Sequence, residues 1–245
     1  MNAESFSFDF KSSDAVPDWP ALDAQWRLRY DAEALAAYER DLDGALHHQG
    51  DRLGFELWWR WARLSHFRAM QSASESDAAA ATRHFEAGAI EAERASKVEP
   101  HRVEGHFWAG VCGVEAARGK GMLSAGRALK PATTHIERAA NIDETYHFAA
   151  PLRVLARLTQ LRPLILGGSV DRALDIYRRA LQIAPHNSTT LIYYSQALLA
   201  DQQKVLARTT LNRILNAPDD AEWRWEQARD RKIALELIAG LDSQR

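Results

Sequence analysis

The sequence predicts an all-α chain: about ten helices wound into an irregular superhelix and closed by a C-terminal capping helix. Three observations predict it. The first is a spacing. Ala173, Tyr177, Ala180 and Pro185 are followed by Ala207, Leu211, Ile214 and Pro218, so three positions move by 34 and the proline by 33. The second is composition. Alanine, leucine, glutamate and arginine dominate, and long Val/Ile/Thr runs with period-two alternation are missing. The third is punctuation, with prolines and Ser/Asp/Asn clusters at helix-length intervals. Small, large and small residues followed by proline, at a 34-residue step, form the pattern of a tetratricopeptide helix–turn–helix repeat.

The pattern has a packing reason. Ala173 and Ala180 lie seven apart and share a helix face. Small side chains there let a paired helix come close, and Tyr177 or Leu211 fills the space between. Pro185 ends its helix, and Asn187 and Ser188 offer caps to the next. The same offsets recur in Gly88, Ala92, Ala95, Pro100 and in Ala132, Ile136, Ala139, Glu144. Steps of 44, 41 and 34 separate the copies, so the array is regular at its C-terminal end and carries insertions upstream.

Along the chain, residues 1–20 read as a flexible arm in which Phe6, Phe8 and Phe10 alternate with polar residues. Residues 21–245 then form one repeat domain, clearest over 150–218. A first helix is expected from about Ala21 to His48, and a second, apolar nearly all round, over Leu53–Met70. The turn SASESDA precedes a helix to Val98, and His101–Arg118 forms the next. The stretch RGKGMLSAGRALKP reads as a glycine-rich connection. Helices follow over about 131–142, 146–162, 170–184, 188–201 and 203–216. A last one, over about 219–239 with Trp223 and Trp225, caps the array.

A net charge of −2 without a basic face argues against nucleic acid. No run of about 18 apolar residues marks a membrane span. The start MNAESFSFDFKSSDAVPDW has neither a basic region nor an apolar run, so the expected location is cytoplasmic. Cys112, the single cysteine, reads as a small buried hydrophobe.

Enzyme chemistry finds no foothold. Gly113, Gly119 and Lys120 miss the spacing of a phosphate loop. The nine histidines show no metal-ligand spacing, so no metal and no cofactor is expected. His106 reads as a packed, hydrogen-bonded side chain, His135 and His147 as solvated. Among the tryptophans, Trp61 and Trp108 read as core; Trp59, and one of Trp223 and Trp225, read as exposed.

The middle of the chain resembles the tetratricopeptide-like family of the T component associated with TRAP transporters. The residues that carry this are GHFWAGVCG at Gly105–Gly113, the insertion at Gly119–Pro131, and RPLILGG at Arg162–Gly168 running into SVDRALDIYRRALQIAP. The likeness covers roughly 85–216. It implies an all-helical repeat fold and an exported, periplasmic lipoprotein. It also implies a partner that binds small hydrophobic or organic-acid solutes. The chain departs from the family in having no lipoprotein leader and in placing Cys112 within a helix.

In such an array the first helix of each repeat lines the concave face. Counting from Pro100 gives Glu104, Phe107, Val111 and Glu115; counting from Pro185 gives Arg162; and counting from Ser188 gives Thr189, Ile192 and Gln196. This mixed surface suits a peptide, a partner helix or an elongated amphiphilic molecule. The leading expectation is therefore a non-enzymatic scaffold that binds a protein or peptide. The alternative is an accessory component of solute uptake that binds or passes a small organic ligand. Terminal aromatics also allow a homo-oligomer.

Ala180→Leu is expected to destabilise the fold by roughly 1–3 kcal/mol through overpacking at the helix crossing. The urea midpoint measures this, and an unchanged midpoint would contradict the repeat register.

Overall fold

The computed structural model describes residues 17–49, 54–118 and 122–243. Helices make up these residues, with no strand among them. The array opens with α1 (Trp19–Trp26), α2 (Ala32–Gln49), α3 (Gly54–Ser74) and α4 (Ala78–Val98). It continues through α5 (Val103–Arg118), α6 (Met122–Ile142), α7 (Tyr146–Leu161) and α8 (Val170–Ile183). It ends with α9 (Ser188–Ala200), α10 (Lys204–Leu215) and α11 (Arg224–Asp242). Consecutive helices pack on one another, and α11 rests on α10 and α9 as the expected cap. No described helix is long and apolar enough to cross a membrane.

Short polar side chains start five of these helices. Asp18, Asp77, Ser169 and Asn187 each accept a hydrogen bond from a backbone N–H of the first turn. Asp31 does the same for α2, accepting from Glu33 and Ala34. That cap corrects the expected single first helix. Residues 27–31 form a turn, and Asp31 starts a second helix. The expected glycine-rich connection is also corrected, because α6 already runs from Met122 and carries Pro131 inside it. The last helix starts five residues later than expected, at Arg224. The arm assigned to 1–20 lies almost wholly outside the described residues, and α1 begins within its last two.

The repeated small-residue positions are the core. Ala92, Ala95, Ala132, Ile136, Ala139, Ala173, Tyr177, Ala180, Ala207, Leu211 and Ile214 are all buried. At two crossings even alanine is too large. A Cβ on Gly105 would stand 2.6 Å from the Ser96 backbone nitrogen, and one on Gly110 would stand 2.5 Å from Ile136 Cδ1. These glycines hold α5 against α4 on one side and α6 on the other.

His106 is packed as expected. Its Nε2 lies 3.1 Å from the Pro100 carbonyl, which can only accept, so Nε2 carries the proton. Its bare Nδ1 then accepts from His135 Nδ1 at 2.9 Å. His135 is thus a partner within the α5–α6 seam, which corrects its expected solvation. Burial lowers the pKa of both rings and favours this neutral pair.

A charge cluster around the buried Arg60 fixes the first helices. Arg60 on α3 reaches Asp23 on α1 at 2.6 Å and Glu56 at 2.7 Å, and Arg63 joins Asp23 at 2.8 Å. The Arg60 guanidinium lies over the rings of Trp19 and Trp59. Trp59 is buried there, correcting its expected exposure, while Trp61 is only half-buried.

Gly105→Ala is expected to cost roughly 1–3 kcal/mol, since the methyl meets backbone that cannot turn away. Thermal unfolding monitored by circular dichroism would report it as a lower midpoint.

Candidate functional site

The curvature of the array leaves a cavity of about 1370 Å³ on its inner face. Its walls come from α3, α5, α7, α9, α11 and the segment before α11. That volume exceeds the several hundred Å³ of an ordinary small-molecule pocket.

The helices form a ring around the cavity because the two ends of the array meet. Arg29, in the turn between α1 and α2, has only 2% of its side chain exposed. It donates to the Glu222 carbonyl at 2.9 Å and to the Tyr30 hydroxyl at 2.8 Å. Its guanidinium lies 4.7 Å from the ring centre of Trp223 and 4.5 Å from that of Tyr30. Glu226, in the first turn of α11, stands 3.6 Å from Arg29 and accepts from the Tyr30 hydroxyl. Residues almost 200 positions apart are thereby joined.

One side of the cavity is aromatic. Trp108 meets His66 and His147 at ring-centre distances of 5.4 and 5.8 Å. Trp223 meets both His147 and Phe148 at 5.4 Å. His147, Phe148 and Ala149 adopt left-handed backbone, with φ of 49°, 60° and 56°. Such a conformation costs a non-glycine residue about 1–2 kcal/mol. Pro151 then sits in the first turn of the right-handed part of α7, where its missing N–H does no harm. The left-handed turn is what swings the two rings off the helix and toward Trp223.

The other side is polar and cationic. Most of its charges are paired. Arg118 lies 3.0 Å from Glu115, Arg229 lies 2.7 Å from Asp230, Asp219 meets Arg231 and Glu226 meets Arg29. Asp220 is exposed at the rim. Arg153 and Arg157 differ. They stand one turn apart on α7, and neither has a carboxylate within ion-pair distance among the described residues. Arg153 reaches Asn187 Oδ1 at 3.2 Å, and Arg157 reaches Gln160 Oε1 at 3.1 Å. Gln196 adds a buried Oε1 that accepts no hydrogen bond among the described residues.

Burial sets the protonation of the ring nitrogens. It lowers His66 to about 4, with Arg229 and Arg153 adding repulsion. His147 falls to about 3 by burial and the nearby charge of Arg153. Both rings are neutral at physiological pH, so the arginines carry the positive charge of the site. Burial also weakens the hold of Arg153 on its own proton.

The family model described as TRAP transporter T-component matches residues 57–228, well over half of the chain. The chain belongs to that family. No curated protein matches the sequence. The matched region runs from α3 into the start of α11, so it covers all the cavity wall except the part of α11 that carries Arg229 and Ile233.

Of the residues assigned to the concave face from sequence, Phe107, Val111, Glu115, Thr189, Ile192 and Gln196 line this cavity. Phe107 and Ile192 are nearly wholly buried and serve mainly as wall. Glu104 and Arg162 are not among the lining residues. Glu104 pairs with Arg102 at 2.6 Å, and Arg162 ends α7, its carbonyl backing Gly168. His147, expected to be solvated, faces the cavity within the aromatic side. Sequence reasoning missed Arg153 and Arg157. Their signal is two arginines four apart in the otherwise apolar PLRVLARL. Among the described residues no group of three metal-ligating side chains occurs.

Because the folded His147 pKa lies below its unfolded value of about 6.5, its neutral form stabilises the fold above that pH, and the benefit is lost as pH falls toward 3. Acidification from pH 7 to 5 should therefore cost on the order of 1–2 kcal/mol through this residue. His147→Asn keeps a side chain that tolerates left-handed backbone, and it should flatten this part of the pH profile in urea unfolding. Equal pH slopes in both proteins would rule His147 out as the source.

Proposed function

We propose that the protein is a non-catalytic accessory component of TRAP-type solute uptake that holds an amphiphilic organic anion in the cavity on its inner face. The carrying observation is the pair Arg153 and Arg157, two cations that face the cavity without a carboxylate. An unpaired ion away from bulk water is costly, and a ligand anion offsets that cost. The guanidinium forks suit a carboxylate or a similar flat anion. The aromatic side, with Trp108, Phe148 and Trp223, takes the apolar body of the same molecule.

Family membership favours this reading over the peptide scaffold. Ring closure through Arg29 supports the same choice, since it replaces an open groove with a bounded space. Interaction with other parts of the transporter belongs to the same proposal, and handing the ligand on would require it.

Isothermal titration with a panel of aryl- and alkyl-carboxylates, each beside its neutral amide, tests the reading. The carboxylates should bind and the amides should not. Arg153→Gln should weaken binding roughly 10- to 100-fold, the worth of a hydrogen bond to a charged group. Amides that bind as well as acids, or an Arg153→Gln protein with full affinity, would overturn it.

A further inference from the structure

The ends of the array meet in an unusual way. α11 packs on α9 and α10, and α1 packs on α2, yet the two ends share no packed helix pair among the described residues. Every hydrogen bond, ion pair and ring contact between them, among the described residues, runs through Arg29 and Tyr30. On the far side the partners are Glu222, Trp223, Arg224 and Glu226. All lie in one interhelix turn and at the start of one helix. A slight unwinding of the whole array would separate them while α1 and α2 stay held on α3 through Asp23, Arg60 and Arg63.

This contact has no apolar seam beneath it, unlike the similar Arg60 cluster, which lies on the packed α1–α3 helices. Most of the area in the seams between successive helices is apolar and closely packed, as at Gly105, Gly110 and Ala180. The end-to-end contact is a guanidinium among rings and acceptors. Such contacts are directional and weaken quickly with displacement, whereas an apolar seam resists parting over its whole area.

The contact is tied to the cavity wall through one side chain. Trp223 has the Arg29 guanidinium on its ring at 4.7 Å, and it meets His147 and Phe148 at 5.4 Å. These two residues belong to the strained left-handed turn, which leads into the helix that carries Arg153. Phe67, Trp223 and Glu226 themselves line the cavity. Parting the ends would therefore open the wall and also remove a contact that holds the strained turn.

We infer that Arg29 is a latch: the array opens and closes between the α1–α2 turn and the start of α11, and this opening admits solute to the cavity. The latch favours the closed ring through Glu226, the Glu222 carbonyl and Trp223. Removing it shifts the population toward an open ring and leaves each helix pair intact. The inference concerns access to the site, and it holds whatever the ligand's charge.

Distance measurement between spin labels tests it without any ligand, so its outcome is independent of the proposed anion. Labels go on Leu28→Cys, in the α1–α2 turn, and Ala228→Cys, on α11; both positions are exposed. Cys112 is buried and stays unlabelled. The otherwise native protein should give one narrow, short distance by double electron–electron resonance. Arg29→Gln should add a longer population at least roughly tenfold larger than that of the native latch, with unchanged helical circular dichroism. Glu226→Gln leaves Arg29 and Trp223 in place and should move the balance the same way by less. It also serves as the readout if Arg29→Gln fails to fold. A single unchanged narrow distance in the folded variants would overturn the latch.

Stopped-flow entry of anilinonaphthalene sulfonate provides a second arm. A short bifunctional crosslink between the two introduced cysteines should slow dye entry at least tenfold. Entry at the native rate through a crosslinked ring would equally overturn the inference.

Discussion

Two helices approach closely only where the side chains between them are small, and this constraint governs the whole molecule. Gly105 and Gly110 bring α5 so near its neighbours that an added methyl would strike backbone or an isoleucine. Alanines play the same part at the other crossings, where they are buried completely or nearly so. Close crossings fix the angle between successive helices, because ridges must seat in grooves. A fixed angle repeated along the array gives curvature, and curvature gives an inner face. The cavity is therefore a consequence of alanine and glycine spacing. It also follows that residue 29 can meet residue 222, a contact that no local sequence preference could produce.

Buried arginines show how this scaffold handles charge. Arg60 is almost fully enclosed, yet it has two carboxylates and two indole faces around it. Asp230 is 1% exposed and accepts from Ser188 and Thr189 at the start of α9, where the helix dipole also favours an anion. Arg29 has carbonyl, hydroxyl, carboxylate and ring partners together. Against these, Arg153 and Arg157 stand out by contrast. They have neutral acceptors and no carboxylate, whereas the fully buried Arg29 and Arg60 each have one or more. The difference separates charges that hold the fold from charges that face the cavity.

Most of the fold was legible because its determinants are local and periodic. The small–large–small spacing named residues that prove to be core, and polar caps marked the helix starts. The first helix was misjudged because Asp31 reads equally well as a surface residue within a long helix and as a cap. The α6 start was not legible because glycine and serine in GKGMLSAG carry the same composition as a loop. At the site, counting along repeats found six cavity residues and overlooked the most distinctive ones. Arg153 and Arg157 lie on α7, but the count back from Pro185 reached only its last turn, at Arg162. Trp223 and Glu226 were beyond any repeat rule, since ring closure puts them there. His147 reached the cavity through a left-handed turn that its sequence, His-Phe-Ala, gives no reason to expect.

That turn is where scaffold and site meet. Three successive non-glycine residues with positive φ persist only if their surroundings hold them. Here Ala149 donates to the Thr145 carbonyl, Ala149 and Ala150 are sealed in the core, and Pro151 disfavours the helical conformation in Ala150 before it. On the outer side, Trp223 presses edge-on against His147 and Phe148. Core packing fixes one edge of the turn and the ring closure fixes the other. The rings that line the aromatic side are consequently oriented by residues from α7 and from the segment before α11 together. Arg153, hydrogen-bonded to the Phe148 carbonyl at 3.4 Å, stands on the same support. A cavity built in this way has its shape defined only while the ring is closed, so the closing contact and the cavity form one unit.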